Sequence, residues 1–484
     1  MKNESLWKNV LQKPVYSKLN KDINVDVLII GGGITGISTL YHLSNSKMKV
    51  CLVEKNNLCS GVTCRTTGKL TYLQGDIYTK IKKYCGIDKA KLYLESQIDA
   101  IDMVKDIVNK HNISCDLEKV KSYVFSNSDS YSLDKDFKVS KEIGIDVKKE
   151  DKLPSGDKVY DAYYARDTYV FHPLKYLYSI IEKCSRDNTS IFENTKIISI
   201  EKDNELFICK THDNIIKTKY VVLAFHYPYF LFPFLMPLKT YIEKSYISAF
   251  KVKKNYKYSS ISISKPIVSM RYHTEGDVNY KIYLTNSHST CFHDNYKDNF
   301  KDLLKNTKLS YIWSNKDIIT NDSLPFIGGI NNDSTLLIGT GYNTWGMTNG
   351  SIAGKVISDI ILKKNNKYIK LFDPLRGIDL GKIINFPIIL GSNVISFIKS
   401  RIYKQKKWYP SNVRFEKRNG KDVAIYIDSD KKEHIVYNKC PHLKCGLIFN
   451  EIEKTWDCPC HGSRFDIDGK CIEGPSNYNI SYKK

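Results

Sequence analysis

The sequence predicts an α/β protein with a parallel, dinucleotide-type unit at its N-terminal end and a small all-β unit at its C-terminal end. Three stretches carry that prediction. "VDVLIIGGGITGIS", from Val25, sets a short apolar run directly against G-x-G-x-x-G and a helical pattern. "SYISAFKVKK" and "NYKIYLT", in the middle of the chain, alternate apolar and polar residues as strands of a partly exposed antiparallel sheet do. "KCPHLKCGLIFNEIEKTWDCPCHGSRFD", from Lys439 to Asp466, packs four Cys and two His into a turn-rich stretch. The chain has 484 residues, too many for one compact core, so two or three domains are expected.

Taken in order, Asp26 to Ile30 suits a strand buried on both faces. Gly31, Gly33 and Gly36 supply the motif's three glycines, with Ile34 and Thr35 between them. The first permits a tight turn, the second lets the backbone approach a pyrophosphate, and the third lets helix and strand pack closely. Ile37, Leu40, Tyr41 and Leu43 recur at helical spacing. A helix starting here turns free N–H groups and its positive dipole end toward phosphates. Val50 to Val53 is a second strand, and Glu54 ends it, 23 residues after Gly31, where a carboxylate can accept from ribose hydroxyls. Either NAD or FAD satisfies this much.

Further on, "CSGVTCRTTGKLTYLQG" (Cys59 to Gly75) is a small polar loop. "FHPLKYLYSII" begins at Phe171 and "KYVVLAFHYPYF" at Lys219. "WSNKDIITNDSLPFIGG" begins at Trp313, and "LLIGTGYNTWGMTNGSIAG" at Leu336. The last reads as strand, bent glycine loop (Gly339, Gly341, Gly346) and helix. Together these stretches make the chain resemble FAD-dependent oxidoreductases of the D-amino-acid oxidase type, the group of glycine, sarcosine and glutamylputrescine oxidases. The resemblance covers most of residues 1–365. It implies FAD, held by Gly31, Gly33, Ile34, Thr35, Gly36, Glu54 and Lys55. It also places Ser60, Arg65, Thr66, Thr67, Ala224, Gly341, Gly346, Met347 and Thr348 beside the cofactor. A helix N-terminus near Met347 would favour the negative charge that grows on the flavin on reduction.

The implied architecture is α/β: an FAD-binding Rossmann-like domain with an inserted antiparallel-sheet substrate domain. Residues 1–371 form this unit, with FAD-binding parts about 22–75, 166–226 and 313–365. Its substrate-facing parts are about 76–165 and 227–312, with a helical stretch near Tyr93 to Val108. Oxidation of C–N bonds at a flavin needs geometry more than an acid or base. A carboxylate-bearing substrate would want an Arg or Tyr clamp, and Arg271 with Tyr272 is one candidate. His226 and Tyr342, beside the flavin-site stretches, are the others.

After Trp408 the texture changes to short strands and turns: "VAIYID" alternates and "DSDKKE" reads as a hairpin turn. The Cys and His residues that follow suit a metal centre, and on ligand types alone a zinc site stays open. C-x-H, a third Cys three residues after the His, then C-P-C-H-G-S and a later "GPS" resemble the Rieske 2Fe-2S family. The resemblance implies Cys440 and Cys458 on one iron, His442 and His461 on the other, and a disulfide between Cys445 and Cys460. Ser463 would donate a hydrogen bond to a bridging sulfide. Phe465 stands where many high-potential relatives have Tyr, so a lower potential is expected. Residues 408–484 are thus expected to be an all-β Rieske domain, joined by a basic helical linker at 372–407.

Net charge is +22, which invites a nucleic-acid partner. Lys is spread along the whole chain, however, and no helix-turn-helix, RNP or zinc-finger spacing occurs, so none is expected. Ile361 to Lys407 holds eleven Lys/Arg against two Asp, which allows a weak peripheral contact with an anionic membrane. The longest apolar run, Val221 to Leu238, contains His226, Pro228, Pro233 and Pro237 and does not read as a spanning helix. "MKNESLWKNVLQKP" has no apolar export signal. A cytoplasmic location is therefore expected, the basic stretch allowing a peripheral place at the inner face of the membrane, with most of the 13 Cys reduced or acting as ligands. The expected function is oxidation of a small amine or amino acid by FAD, with electrons passed to the cluster and on to an acceptor protein or quinone. Two alternatives are a reductase running electrons from a ferredoxin-like donor to the flavin, and a non-catalytic electron-transfer or redox-sensing protein.

Overall fold

The structure, a computed structural model, describes residues 2–10, 12–226, 239–289, 309–377, 411–442, 444–451, 453–460, 462–474, 476 and 478–482. The expected helical linker lies almost entirely outside the described residues, as does His461.

An eight-stranded sheet forms the dinucleotide half. Its main path runs Phe326–Gly329, Leu336–Thr340, Ile215–Leu223, Ile23–Ile30, Val50–Val53, Thr189–Phe192. All pairings along this path are parallel except that of Phe326–Gly329 with Leu336–Thr340, and Ile29 lies opposite Val222 and Leu52. The Ile23–Ile30 strand is half exposed at its start and fully buried from Val27 to Ile30, because helices cover the Val27 and Ile29 face and strand and loop residues such as Phe207, Cys209 and Ile197 cover the Leu28 and Ile30 face. Helix Ile34–Leu43 follows at once and packs on helix Gly346–Ile361. That contact is close enough that a Cβ at Gly354 would lie 2.3 Å from the Ser38 hydroxyl oxygen. The Ser38 hydroxyl donates to the Ser351 carbonyl at 2.9 Å across the same contact.

The inserted segments build a nine-stranded, largely antiparallel sheet. Strands Glu118–Ser126 and Asp161–Val170 come from the first insertion, and Thr240–Val252 through Val278–Ser289 from the second. Helix Ile87–His111 covers the helical stretch expected near Tyr93. One element departs from the expected division. The Leu309–Thr320 strand pairs antiparallel with Thr240–Val252 along its whole length, so residues 313–320 belong to this sheet and not to the dinucleotide half. The next strand, Phe326–Gly329, returns to the dinucleotide sheet.

The C-terminal part holds a three-stranded and a four-stranded antiparallel sheet around Val436, Leu447, Trp456, Phe465 and Ile480. Asn419 and Gly420, both with positive φ, make the two-residue turn joining Val413–Arg418 to Lys421–Ile427. Asp428 closes the next turn by accepting from the Asp430 and Lys432 amides at 2.9 Å each. Among the described residues, no helix is long and apolar enough to cross a membrane.

Candidate functional site

The glycine loop is a cradle whose walls are backbone. Gly31 has φ +117°, and a Cβ there would sit 2.7 Å from the Ala224 carbonyl oxygen. A Cβ at Gly36 would overlap the Gly31 carbonyl, and one at Gly33 would meet the Thr63 hydroxyl at 2.9 Å. No side chain caps helix Ile34–Leu43 at Gly33, although the Ile34 amide donates to the Thr63 hydroxyl at 3.2 Å. The Glu54 carboxylate accepts from the Gly32 and Asn56 amides at 2.9 Å each, which pins it at the strand end. Each carboxylate oxygen has a second lone pair for a ribose hydroxyl. The cradle therefore fits a dinucleotide, with space for a pyrophosphate only because side chains are missing at these positions.

A second loop closes on the first. Gly341, Asn343 and Thr344 all have positive φ and bend the chain into helix Gly346–Ile361, which also lacks a side-chain N-cap. Thr348 accepts from Gln74 at 3.2 Å, and Gln74 in turn accepts from Tyr93 at 2.8 Å, so this helix start is held by a buried polar network. The Tyr342 hydroxyl lies 2.7 Å from the Thr35 hydroxyl and ties the two helix starts together.

The Leu309–Thr320 strand spans the space between the two loops. The Trp313 indole donates to the Arg65 carbonyl at 3.0 Å. At the other end, the Asn343 amide donates to the Ile318 carbonyl at 3.2 Å, and Asn343 accepts from the Thr320 amide at 2.8 Å. The side chain of Arg65 donates to the Ser314 carbonyl of this strand at 3.4 Å and pairs with Glu453 of the C-terminal part at 3.2 Å. Ser60 is exposed, Lys55, Thr66 and Thr67 are half-buried, and Met347 is buried.

Arg271 and Tyr272 do not form a joint clamp, because neighbouring strand residues point to opposite faces. The Arg271 guanidinium is buried, stacks on Trp7 and donates to the Gly68 and Phe171 carbonyls at 2.6 and 2.9 Å. Burial pulls its pKa down to about 9. With its donors taken by main-chain carbonyls, Arg271 holds the loop and offers no free fork to a substrate carboxylate. Tyr272 packs among Tyr256 and Tyr258 on the far face. His226 lies just beyond the Ile215–Leu223 strand of the dinucleotide sheet, with its Nε2 buried and without a hydrogen-bond partner among the described residues, near Lys316 and Glu473. Trp7 has no pattern around it that marks it in the sequence, yet its indole donates to the Thr66 carbonyl at 2.7 Å.

At the other centre, two loops share one backbone pattern. The Lys444 amide donates to the Cys440 carbonyl at 2.8 Å, and the Cys440 amide to the Cys445 carbonyl at 2.8 Å. The Gly462 amide likewise donates to the Cys458 carbonyl at 3.0 Å, and the Cys458 amide to the Ser463 carbonyl at 2.7 Å. A disulfide joins Cys445 to Cys460 and ties loop to loop. Cys440 and Cys458 are buried, and His442 is half-buried, with its pKa lowered by burial toward the neutral form a metal needs. Ser463 accepts from the Ser476 amide at 2.9 Å, which leaves its own hydrogen free to donate. Two matched loops, each presenting a buried thiol, fit an iron–sulfur cluster.

The two centres meet at a buried charged contact. Lys316 donates to the Gly462 carbonyl, in the second cysteine loop. Lys244, directly opposite Lys316 in the sheet, pairs with Asp457 at 2.7 Å. Arg464 is fully buried and pairs with Glu453 at 2.6 Å, and the Ser314 hydroxyl donates to the same Glu453.

A family model described as FAD dependent oxidoreductase matches residues 26–360, and one described as Rieske 2Fe-2S domain matches residues 401–482. The chain is 31% identical over 494 aligned positions to YhfW of Bacillus subtilis (strain 168), named as a Rieske 2Fe-2S iron-sulfur protein, covering 98% of this chain and 96% of the relative. It is 26% identical over 98 residues to gamma-glutamylputrescine oxidoreductase of Escherichia coli (strain K12), 20% of this chain and 23% of that one. Among solved structures, glycine oxidase from Geobacillus kaustophilus superposes with a TM-score of 0.60 at 15% identity, over 73% of this chain and 99% of that one. At that identity the likeness is one of fold. The glycine cradle, the paired cysteine loops and the two family matches place the chain in the FAD-dependent oxidoreductase family, as a flavoenzyme that carries a Rieske 2Fe-2S domain at its C-terminal end.

Proposed function

We propose that the protein oxidises the C–N bond of an amine or amino acid at FAD and passes the electrons through the 2Fe-2S cluster to an external acceptor, a protein or a quinone. One observation carries this reading. The Leu309–Thr320 strand touches both loops of the flavin site through Trp313 and Asn343, and touches the second cysteine loop through Lys316. Trp313 and Lys316, on one strand, thus contact loops of the two centres.

Gly31, Gly33, Ile34, Thr35, Gly36, Glu54 and Lys55 would hold the pyrophosphate and ribose of FAD. Ser60, Arg65, Thr66, Thr67, Ala224, Gly341, Gly346, Met347 and Thr348 would border the flavin. Cys440 and Cys458 would bind one iron, and His442 and His461 the other. Bound FAD supplies a two-electron acceptor, and the cluster a one-electron carrier. The substrate, with its reacting nitrogen deprotonated, would lose a hydride to FAD from the carbon next to nitrogen. The iminium left behind would take up water and yield a carbonyl compound and an ammonium ion or protonated amine. The hydride's two electrons would leave singly through the cluster to the acceptor, and its proton would go to solvent. Trp7, Arg271 and Asn343 keep the loops in place, and Lys316 fixes the cluster loop against the strand.

Removal of one iron ligand separates the half-reactions. In Cys458→Ser the hydroxyl is a poor ligand, so the cluster is lost while the N-terminal core still binds FAD. Stopped-flow bleaching of the flavin by substrate persists, and steady-state turnover with the acceptor collapses. Unchanged turnover in this variant would falsify the cluster's role as the outlet.

A further inference from the structure

The nine-stranded sheet turns a pair of unmatched carboxylates toward the flavin loops. Glu243 and Asp317 are directly opposite each other on the paired strands Thr240–Val252 and Leu309–Thr320. Ser245 and Asn315 are the next opposed pair on the same face, two residues along each strand. Trp313 belongs to that face as well, and its indole reaches the Arg65 carbonyl of the flavin loop.

Both carboxylates are half-buried, and neither forms an ion pair among the described residues. The Asn315 amide nitrogen donates to Asp317 at 3.0 Å, and Tyr241 hydrogen-bonds to Glu243. Lys80 and Lys265 lie near Glu243, but Lys80 is paired with Asp76 at 2.9 Å. Among the described residues, no such cation acts on Asp317. Burial, then repulsion from Glu243, push its carboxyl up to about 7.

A second observation is independent of the acidic pair. Ser245 is 3% exposed and Asn315 7% exposed. The Ser245 hydroxyl and the Asn315 side-chain carbonyl find no hydrogen-bond partner among the described residues. Buried polar atoms are normally satisfied, so two orphans beside two unmatched carboxylates mark a place where a polar ligand belongs. Oxygen atoms dominate the set: two carboxylates, a hydroxyl and an amide carbonyl. Such a set accepts hydrogen bonds and attracts positive charge. It repels a carboxylate, and Arg271, the one arginine foreseen as a carboxylate clamp, is taken up by main-chain carbonyls.

We propose that Glu243, Asp317, Ser245 and Asn315 form a cation-binding wall of the substrate site, and that the substrate is an organic amine whose ammonium group they hold, with no carboxylate beside it; the reacting nitrogen gives up its proton to solvent before the carbon beside it loses a hydride. This rests on the reading of the protein as an oxidase of C–N bonds and narrows it to amines.

The test uses the full-length, FAD- and cluster-loaded protein under anaerobic conditions. It is titrated with tetramethylammonium, which has no nitrogen lone pair and is not oxidised, with 1,4-diaminobutane and with succinate. Binding is read by calorimetry and by the flavin difference spectrum. Both cations bind the wild-type protein and succinate does not. Glu243→Gln and Asp317→Asn, which keep size and shape, each weaken cation binding by at least about tenfold with FAD content retained. Equal cation affinity in the double variant overturns the site. So does tighter binding of succinate than of either cation by the wild-type protein, a result that needs no variant to fold. The two readings fail separately. Cations that bind in a carboxylate-dependent way, with no amine able to bleach the flavin, leave the wall standing and refute amine oxidation. Amines that bleach the flavin equally in wild type and double variant do the reverse.

Discussion

At the scale of single residues, chemistry is set by what a side chain cannot be. Gly33 tolerates no Cβ without pressing on the Thr63 hydroxyl at 2.9 Å, and a branched side chain would also occupy the pyrophosphate's place. Gly33→Val is therefore expected to purify with its cluster but without FAD. Flavin and iron contents of the same sample check this, and normal flavin content would sink the cradle assignment. Arg271 shows the opposite logic. Its charge looks catalytic in the sequence, but burial beside Trp7 and the Gly68 and Phe171 carbonyls makes it a brace. Lys69, buried beside it, donates to the Ser260 carbonyl at 2.6 Å, and burial followed by the Arg271 charge lowers its pKa to about 7.

At the scale of elements, the two cysteine loops matter as a pair. Each is closed by its own backbone hydrogen bonds, and the Cys445–Cys460 bond fixes their separation. The bond closes a loop with a sequence separation of 15 residues. Cross-linking such a loop stabilises by about 3 kcal/mol when the effect comes from the unfolded chain. The double variant Cys445→Ser, Cys460→Ser should lose that stability in the C-terminal part alone. Denaturant unfolding followed by the cluster's absorbance should shift to lower denaturant, while unfolding followed by flavin release stays put. Equal shifts in both signals would mean that the bond supports the whole chain.

At the scale of the whole molecule, the two parts are held by buried charges. Burial pushes the Glu473 carboxyl up, but Lys316, Arg464 and Arg65 outweigh it and hold its pKa at about 2. The ordinary value of a glutamate is about 4.3. A carboxylate whose folded pKa is depressed stabilises fully above its unfolded pKa and loses that stabilisation as pH falls through the folded one. The contact is therefore expected to hold at neutral pH and to weaken progressively from about pH 4.3 down to about 2. Hydrogen exchange in the Leu309–Thr320 strand, measured at several values across that window, should rise as the pH falls, after correction for the intrinsic rate. Because the charges are buried, moderate salt at pH 7 should change the same protection little. Strong salt sensitivity at pH 7 would show that the contact is an exposed one.

The sequence by itself determined what is local. Gly31, Gly33 and Gly36 announce the cradle because all three roles fall within one strand–turn–helix. The cysteine loops are legible because Cys440 and His442, like Cys458 and His461, are two and three residues apart. Helix Ile87–His111 and the hairpin strands followed from periodicity for the same reason. Only the tertiary structure decided which side chains face each other across the sheet. Glu243 meets Asp317 because two strands far apart in the chain adopt one register, and a slip of one strand by one residue would turn its carboxylate to the opposite face from the other. The same register sends Lys316 to Gly462, 146 residues away, and leaves Asn315 and Asp317 on the flavin side. Strand alternation tells which residues share a face, but no spacing in a single strand says what that face will meet. That is fixed by long-range hydrogen-bonded pairing and by the burial of unlike charges against one another, which only the folded chain brings together.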